Sequence, residues 1–150
     1  MQKKVYVIGG NRYQEARLIA EWGWLTANNM EEADVVVFTG GADVDPALYN
    51  QRPHNTTQFT EWRDRAEITA FQRAHALEIP MFGICRGAQL LTVLTGGHLV
   101  QDISGHGTDH PIVDLDTGET FEVTSCHHQM MVPAEDAIIR AVSQIGRAHV

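Results

Sequence analysis

Asp34 to Thr39 reads DVVVFT, an apolar run without polar alternation. A strand wetted on one side alternates polar and apolar residues, so an unbroken run is expected of a central strand covered on both faces. Such covering calls for helices, and the flanking sequence supplies them. Lys4 to Ile8 (KVYVI) is a short β-rich run ended by Gly9-Gly10 and predicts a first strand. Ala16, Ile19 and Ala20 recur at helical spacing, predicting a helix from about Tyr13 to Trp22, with a short strand near Trp24 to Thr26. Thr60 is placed to cap a long helix running to about Glu78, with Ala70, Ala74 and Leu77 on one face beside Phe71. Pro80 stops it. Met81 to Ile84 then predicts another buried strand, and Arg86 to Leu94 a helix ended by Gly96-Gly97. Strand and helix alternate through Gly96, the pattern of a parallel sheet sandwiched between helices.

Elsewhere the texture differs. Asp45-Pro46 reads as an N-cap followed by proline in the first helical position, opening a short helical turn. Asn50 to Phe59 is polar and irregular, as expected of a surface loop. From His98 onward, HLVQDI, PIVDLD and ETFEVTS predict short strands, the last two joined as a hairpin through Asp116-Thr117-Gly118. No internal repeat, low-complexity tract or second-domain boundary is visible, and 150 residues suit a single domain.

The formal net charge of -8 repels phosphate backbones, so no nucleic-acid partner is expected. The start, MQKKVYVIGG, has too short an apolar run for a signal peptide or a membrane span, and no membrane association is expected. Two cysteines, Cys85 and Cys126, make neither a disulfide framework nor a four-ligand zinc site. The expected setting is reducing and cytoplasmic, where a single reactive thiol persists.

Cys85 lies in MFGICRGAQLL, where an apolar strand gives way to a helix. A buried thiol acting as a small apolar side chain would be the plain reading. Three features point to chemistry instead. Ligands of open parallel sheets bind at the carboxyl ends of strands, and Cys85 falls at such an end. Gly83 and Gly87 flank it two residues before and after, the spacing of a nucleophile elbow. The helix that follows points its N-terminus at the sulfur, which favours thiolate, and leaves the Arg86 amide able to bond an oxyanion. A second amide is expected from Thr39-Gly40-Gly41, at the end of the other buried strand.

GGADVDPALY, IPMFGICRGAQLLTVLTGGHLVQDI and VTSCHHQM, in this order, resemble the class I glutamine amidotransferase-like superfamily. The nearest branch by these blocks is that of the γ-glutamyl hydrolases, including γ-glutamyl-γ-aminobutyrate hydrolase. The resemblance runs from about Thr39 to Met130. It implies a three-layer, flavodoxin-like α/β sandwich with a mostly parallel central sheet. It also implies hydrolysis of a γ-glutamyl amide, glutamine or a γ-glutamyl-amine, through a γ-glutamyl thioester. Carried over by motif, Cys85 is the nucleophile and the amides of Gly41 and Arg86 form the oxyanion hole. Gln89, one helical turn beyond the cysteine, holds the glutamyl part of the substrate, against the alternative of a solvent-facing helix residue. His127, His128 and Gln129 match the block lining the glutamyl pocket. No cofactor and no metal are implied. Two alternatives stand beside this one: a glutaminase subunit feeding ammonia to a synthetase partner, and a catalytically inactive, ligand-binding member of the same fold.

The family's general base is a histidine in a His-Pro-Glu block near the C-terminus, and nothing after Val132 reads that way; His149 is followed only by Val150. The chain is therefore expected to be a fragment lacking C-terminal strands, with residues 145–150, IGRAHV, foreign to the family pattern. General acid–base help is worth about 10²–10⁴-fold, so the 150-residue chain alone is expected to be nearly inactive.

Rival constellations are weaker. Cys126 and His127, as neighbours on an expected strand, would point to opposite faces. His106 and His110 have an i, i+4 metal-like spacing, but Gly105, Gly107 and Pro111 break any helix that would align them, so both are expected in a polar loop. Gly9-Gly10 hints at a dinucleotide turn whose third glycine is missing. Asp43 and Asp45 fit turn chemistry better than a catalytic carboxylate pair, and Trp22 and Trp24 fit packing at a helix end.

Overall fold

The computed structural model describes residues 2–9, 12–104 and 107–143, and for residues 12–16 the backbone alone. Gly10, His106, His149 and the IGRAHV segment, each weighed from sequence, lie outside the described residues. Two compact units are formed, Met1–Asp45 with Gln58–Leu91, and Pro46–Thr57 with Thr92–Val150.

The first unit contains β1 (Lys4–Ile8), α1 (Arg12–Glu21), β2 (Leu25–Thr26), β3 (Val35–Phe38), α2 (Glu61–Ala76), β4 (Met81–Gly83) and the start of α3 (Arg86–Leu94). Its four strands form one parallel sheet in the order β2-β1-β3-β4. This is the α/β fold with a parallel sheet expected from the alternation of strands and helices. β3 lies inside the sheet, and Val36, Val37 and Phe38 are all buried, which is why DVVVFT tolerates no polar alternation. Val5, Ile19 and Val37 form a core cluster, with Val7, Trp24, Val35 and Ile84 packed against it. Trp24 thus packs as expected, whereas Trp22 is half-exposed.

Register aligns the carboxyl ends of three strands. Ile8 pairs with Phe38 and Phe38 with Gly83. The ladder continues one step further, with the Thr39 amide donating to the Ile8 carbonyl (3.0 Å) and the Ile84 amide to the Phe38 carbonyl (2.9 Å). Gly9, Gly40 and Cys85 therefore leave the sheet at one edge.

α2 departs from expectation on its buried face. Asp64, Glu67 and Ala74 are the residues buried there, while Leu77 is 42% exposed. Leu77 is already the C-cap, and Glu78 turns the chain at φ 55, its amide donating to the His75 carbonyl at 3.1 Å. The helix thus ends before Leu77 can join the inward stripe. Thr60 occupies the N-cap position but makes no side-chain capping bond.

The second unit holds α3's last turn, β5 (His98–Val100), β6 (His110–Asp114), β7 (Thr120–Val123), β8 (Met130–Val132) and β9 (Ala141–Ser143). β5 pairs antiparallel with β8, and a second antiparallel sheet runs β7-β6-β9. The expected hairpin is present. The Asp114 carboxylate accepts from the amides of Asp116 (2.9 Å) and Thr117 (2.8 Å), and Gly118 takes φ 75. Asn50 to Thr57 is irregular, as its composition suggests, yet tethered. The Gln101 side chain accepts from the His54 amide and the Thr57 hydroxyl and donates to Gln51 and the Arg52 carbonyl.

Two expectations are corrected here. Cys126 and His127 lie in an irregular stretch between β7 and β8, because β7 ends at Val123; the argument from opposite strand faces does not apply to them. His110 is no polar-loop residue: it opens β6, is buried, and pairs its Nδ1 with the Thr108 carbonyl at 3.0 Å. Among the described residues no group of three or more His, Cys, Asp or Glu is placed to hold a metal ion, and no helix is long and apolar enough to cross a membrane.

Candidate active site

Cys85 sits between β4 and α3 with φ 52, in the left-handed region that residues other than glycine seldom enter. That conformation closes a strand-to-helix turn so sharply that its flanks almost touch. A Cβ on Gly83 would collide with the Ala88 backbone, and a Cβ on Gly87 with the Phe38 carbonyl. Both positions therefore require glycine, as the spacing around the cysteine implies. The Cys85 side chain is exposed at the strand-end edge of the sheet. Its carbonyl accepts from the Gln89 amide at 3.1 Å, so the residue is already part of the first turn of α3.

The glycine pair after β3 lies beside the thiol. A Cβ on Gly40 would stand 3.7 Å from Cys85 Cβ. Gly41 takes φ 147, another conformation that side chains resist, and a Cβ there would run into the Arg63 guanidinium. Among the described residues, the amides of Gly41 and Arg86 donate to no backbone carbonyl. For Arg86 this follows from its place as the first residue of α3, since the first amides of a helix have no partner within it.

Four charged side chains that sequence reasoning missed lie beneath the turn. Arg86 is buried and donates through Nη1 to Glu67 and through Nη2 to Asp64. Arg63 Nε donates to Glu67 Oε1 at 2.8 Å, and its Nη2 donates to the Gly40 carbonyl at 2.9 Å. Burial pushes the Asp64 carboxyl above its ordinary range, against the opposing pull of the Arg86 guanidinium and the Asp45 amide. A signal was present in the sequence. Asp64 and Glu67 share one helical stripe with Phe71 and Ala74, and carboxylates on a core-facing stripe require buried cations.

Of the remaining residues singled out from sequence, Gln89 is buried at 5% exposure, not solvent-facing, on the same helix as Arg86. His127, His128 and Gln129 belong to the second unit. There the His127 Nδ1 lies 2.8 Å from the Gln129 carbonyl, and the His128 Nδ1 lies 3.4 Å from Asp102. The Gln129 side-chain amide is buried, with neither its oxygen nor its nitrogen hydrogen-bonded.

Residues 23–116 match the family model for Peptidase C26. The chain is 40% identical over 111 residues to the glutamine amidotransferase-like protein YvdE homolog of Lactococcus lactis subsp. cremoris, covering 73% of this chain and 57% of that protein. It is 44% identical over 66 residues to the carbamoyl phosphate synthase small chain of Halomonas eurihalina, covering 43% of this chain and 17% of that one. The chain spans about half the length of the leading curated relatives it matches. In fold it resembles a glutamine amidotransferase from Thermotoga maritima, with a TM-score of 0.74 at 16% identity over 98% of this chain and 70% of the other. The family match takes in the whole Cys85 turn and the glycine pair that faces it. This chain belongs to the Peptidase C26 family, within the class I glutamine amidotransferase-like superfamily.

Proposed function

We propose that the protein hydrolyses a γ-glutamyl amide by nucleophilic attack of Cys85. The observation that carries this reading is the turn itself: an exposed thiol held at φ 52 between two obligatory glycines, with a glycine pair packed beside it. Strained backbone of this kind costs about 1–3 kcal/mol and persists where a fixed side-chain direction is needed. The start of α3 favours the thiolate. Cys85 Sγ attacks the δ-carbonyl of the γ-glutamyl group. The oxyanion so formed is received by the amides of Gly41 and Arg86, the amine departs with a proton, and water releases glutamate from the thioester. By family motif, Gln89 binds the glutamyl portion, and His127, His128 and Gln129 match a block with the same role. By family resemblance the general base is a histidine of a His-Pro-Glu block, which none of the three matching motifs contains.

The test uses the protein as its gene encodes it. Glutamate release from glutamine and from a panel of γ-glutamyl amides is measured for wild type and Cys85→Ser. Activity should be abolished in the variant, because serine lacks the nucleophilicity of the thiolate, while the circular-dichroism spectrum is retained. Undiminished turnover would exclude covalent catalysis at this residue.

A second reading draws on the relative named as a carbamoyl phosphate synthase small chain. In it the same chemistry serves as a glutaminase whose ammonia passes to a synthetase partner. Free γ-glutamyl-amines as good substrates favour the hydrolase; activity on glutamine alone favours the subunit.

A further inference from the structure

Building on the reading of Cys85 as nucleophile, we infer that Arg63 is a positioning residue that aims the Gly41 amide, acting through a buried quartet with Glu67, Arg86 and Asp64.

The peptide joining Gly40 to Gly41 is a rigid plane, with the Gly40 carbonyl on one side and the Gly41 amide on the other. Arg63 Nη2 holds that carbonyl at 2.9 Å. Its guanidinium also fills the space a side chain on Gly41 would need, so the bare Cα lies directly against Arg63. With the carbonyl fixed toward Arg63, the amide is turned away from it. Gly41, at φ 147, would otherwise rotate freely, because glycine has no Cβ to restrict it.

Arg63 has little freedom of its own. Its side chain is 14% exposed, and Nε is held by Glu67 Oε1 at 2.8 Å. The other oxygen of Glu67 accepts from Arg86 Nη1, while Arg86 Nη2 reaches Asp64. One glutamate thus ties together, oxygen by oxygen, the arginine that holds the Gly40–Gly41 peptide and the arginine whose own amide is the other oxyanion donor. The quartet pairs two guanidinium groups with two carboxyl groups, and its effect on the Gly40–Gly41 peptide is angular. Buried ion pairs are poor devices for stability, since apolar residues of like volume often serve as well. A planar fork that fixes a peptide is something apolar residues cannot supply.

The experiment uses the 150-residue chain as it stands, as wild type, Arg63→Met and Arg63→Lys. Lysine retains the charge for Glu67 but lacks the fork that also reaches Gly40. Two reagents are compared at Cys85. With a γ-glutamyl p-nitrophenyl ester, the thiolate forms the S–C bond, the ester C–O bond breaks, and p-nitrophenolate leaves with the electron pair; no proton donor is required. This reaction passes through an oxyanion. Alkylation by iodoacetamide does not. Loss of a single oxyanion donor costs about 10²–10³-fold, so misaiming one should slow acylation by roughly 10–10²-fold in both variants. Alkylation should stay within about twofold of wild type, because displacement of iodide has no oxyanion to stabilise. Acylation unchanged, or both reactions slowed in parallel, would overturn the inference. Should wild type be alkylated at Cys85 yet resist the ester, the nucleophile reading fails. Amide resonances then decide the positioning role separately: Arg63→Lys should move the Gly41 signal and leave those of β1 in place, and an unmoved Gly41 signal would overturn it.

Discussion

A single residue, Arg86, belongs to two systems at once. Its backbone amide opens α3 beside the thiol, and its guanidinium is buried against Asp64 and Glu67. Removing the side chain while keeping its bulk, as in Arg86→Met, leaves Asp64 buried without its cation. Breaking one partner from a buried pair costs about 3–5 kcal/mol, so the variant should lose stability on that scale at pH 7. The loss should depend on pH with a definite sign. Burial already raises the Asp64 pKa above that of the unfolded chain, so the fold is favoured by its protonated form. That contribution is complete below the unfolded value, about 3.9, and is lost as pH rises through the folded value. Without Arg86 the folded value rises further. Urea midpoints should therefore separate wild type from Arg86→Met more widely at pH 7 than near pH 4. An equal separation at both would show that Asp64 is compensated some other way. Cys85, Gly83 and Gly87 were legible in the sequence because their requirement is local, set by one turn. Asp64 and Glu67 were legible only as carboxylates on a core-facing stripe, and Arg63 not at all, because their roles depend on which groups the fold brings beneath that turn.

Among the elements, legibility followed length and covering. β1, whose five residues end at a glycine, and α3, bounded by a cysteine turn and a glycine pair, have the limits their sequence implies. β8 and β9 have three residues each and no periodicity to read. The stretch around Cys126 reads as β-rich yet is irregular, since the β6–β7 ladder ends at the His110–Val123 pair. The hairpin between β6 and β7 is legible and also carries a titrating group. The Thr117 amide first, then the Asp116 amide, hold the Asp114 carboxyl below its usual range, with Arg140 contributing less. A depressed carboxylate stabilises the fold above its unfolded pKa and loses that contribution as pH falls through the folded value. The Thr117 amide resonance, followed by NMR on acidification, should thus titrate with a midpoint below about 3.9. A midpoint at or above that value would mean the carboxylate does not hold the turn.

For the molecule as a whole, residues 23–116 match Peptidase C26, and the proposed nucleophile has to be told apart from the sequence's other cysteine, Cys126. Both cysteines are exposed thiols, so accessibility does not distinguish them. What distinguishes them is local structure: Cys85 opens a helix at a strained turn, whereas Cys126 lies in an irregular segment with no helix behind it. Reactivity toward a γ-glutamyl electrophile is therefore the most direct measure of the central claim. The 150-residue chain is treated with a limiting amount of γ-glutamyl p-nitrophenyl ester, quenched in acid, digested and mapped by mass spectrometry. The γ-glutamyl adduct should be found on the peptide containing Cys85, with the Cys126 peptide unmodified. An adduct on Cys126 in preference to Cys85, or equal labelling of both, would contradict the assignment of the nucleophile.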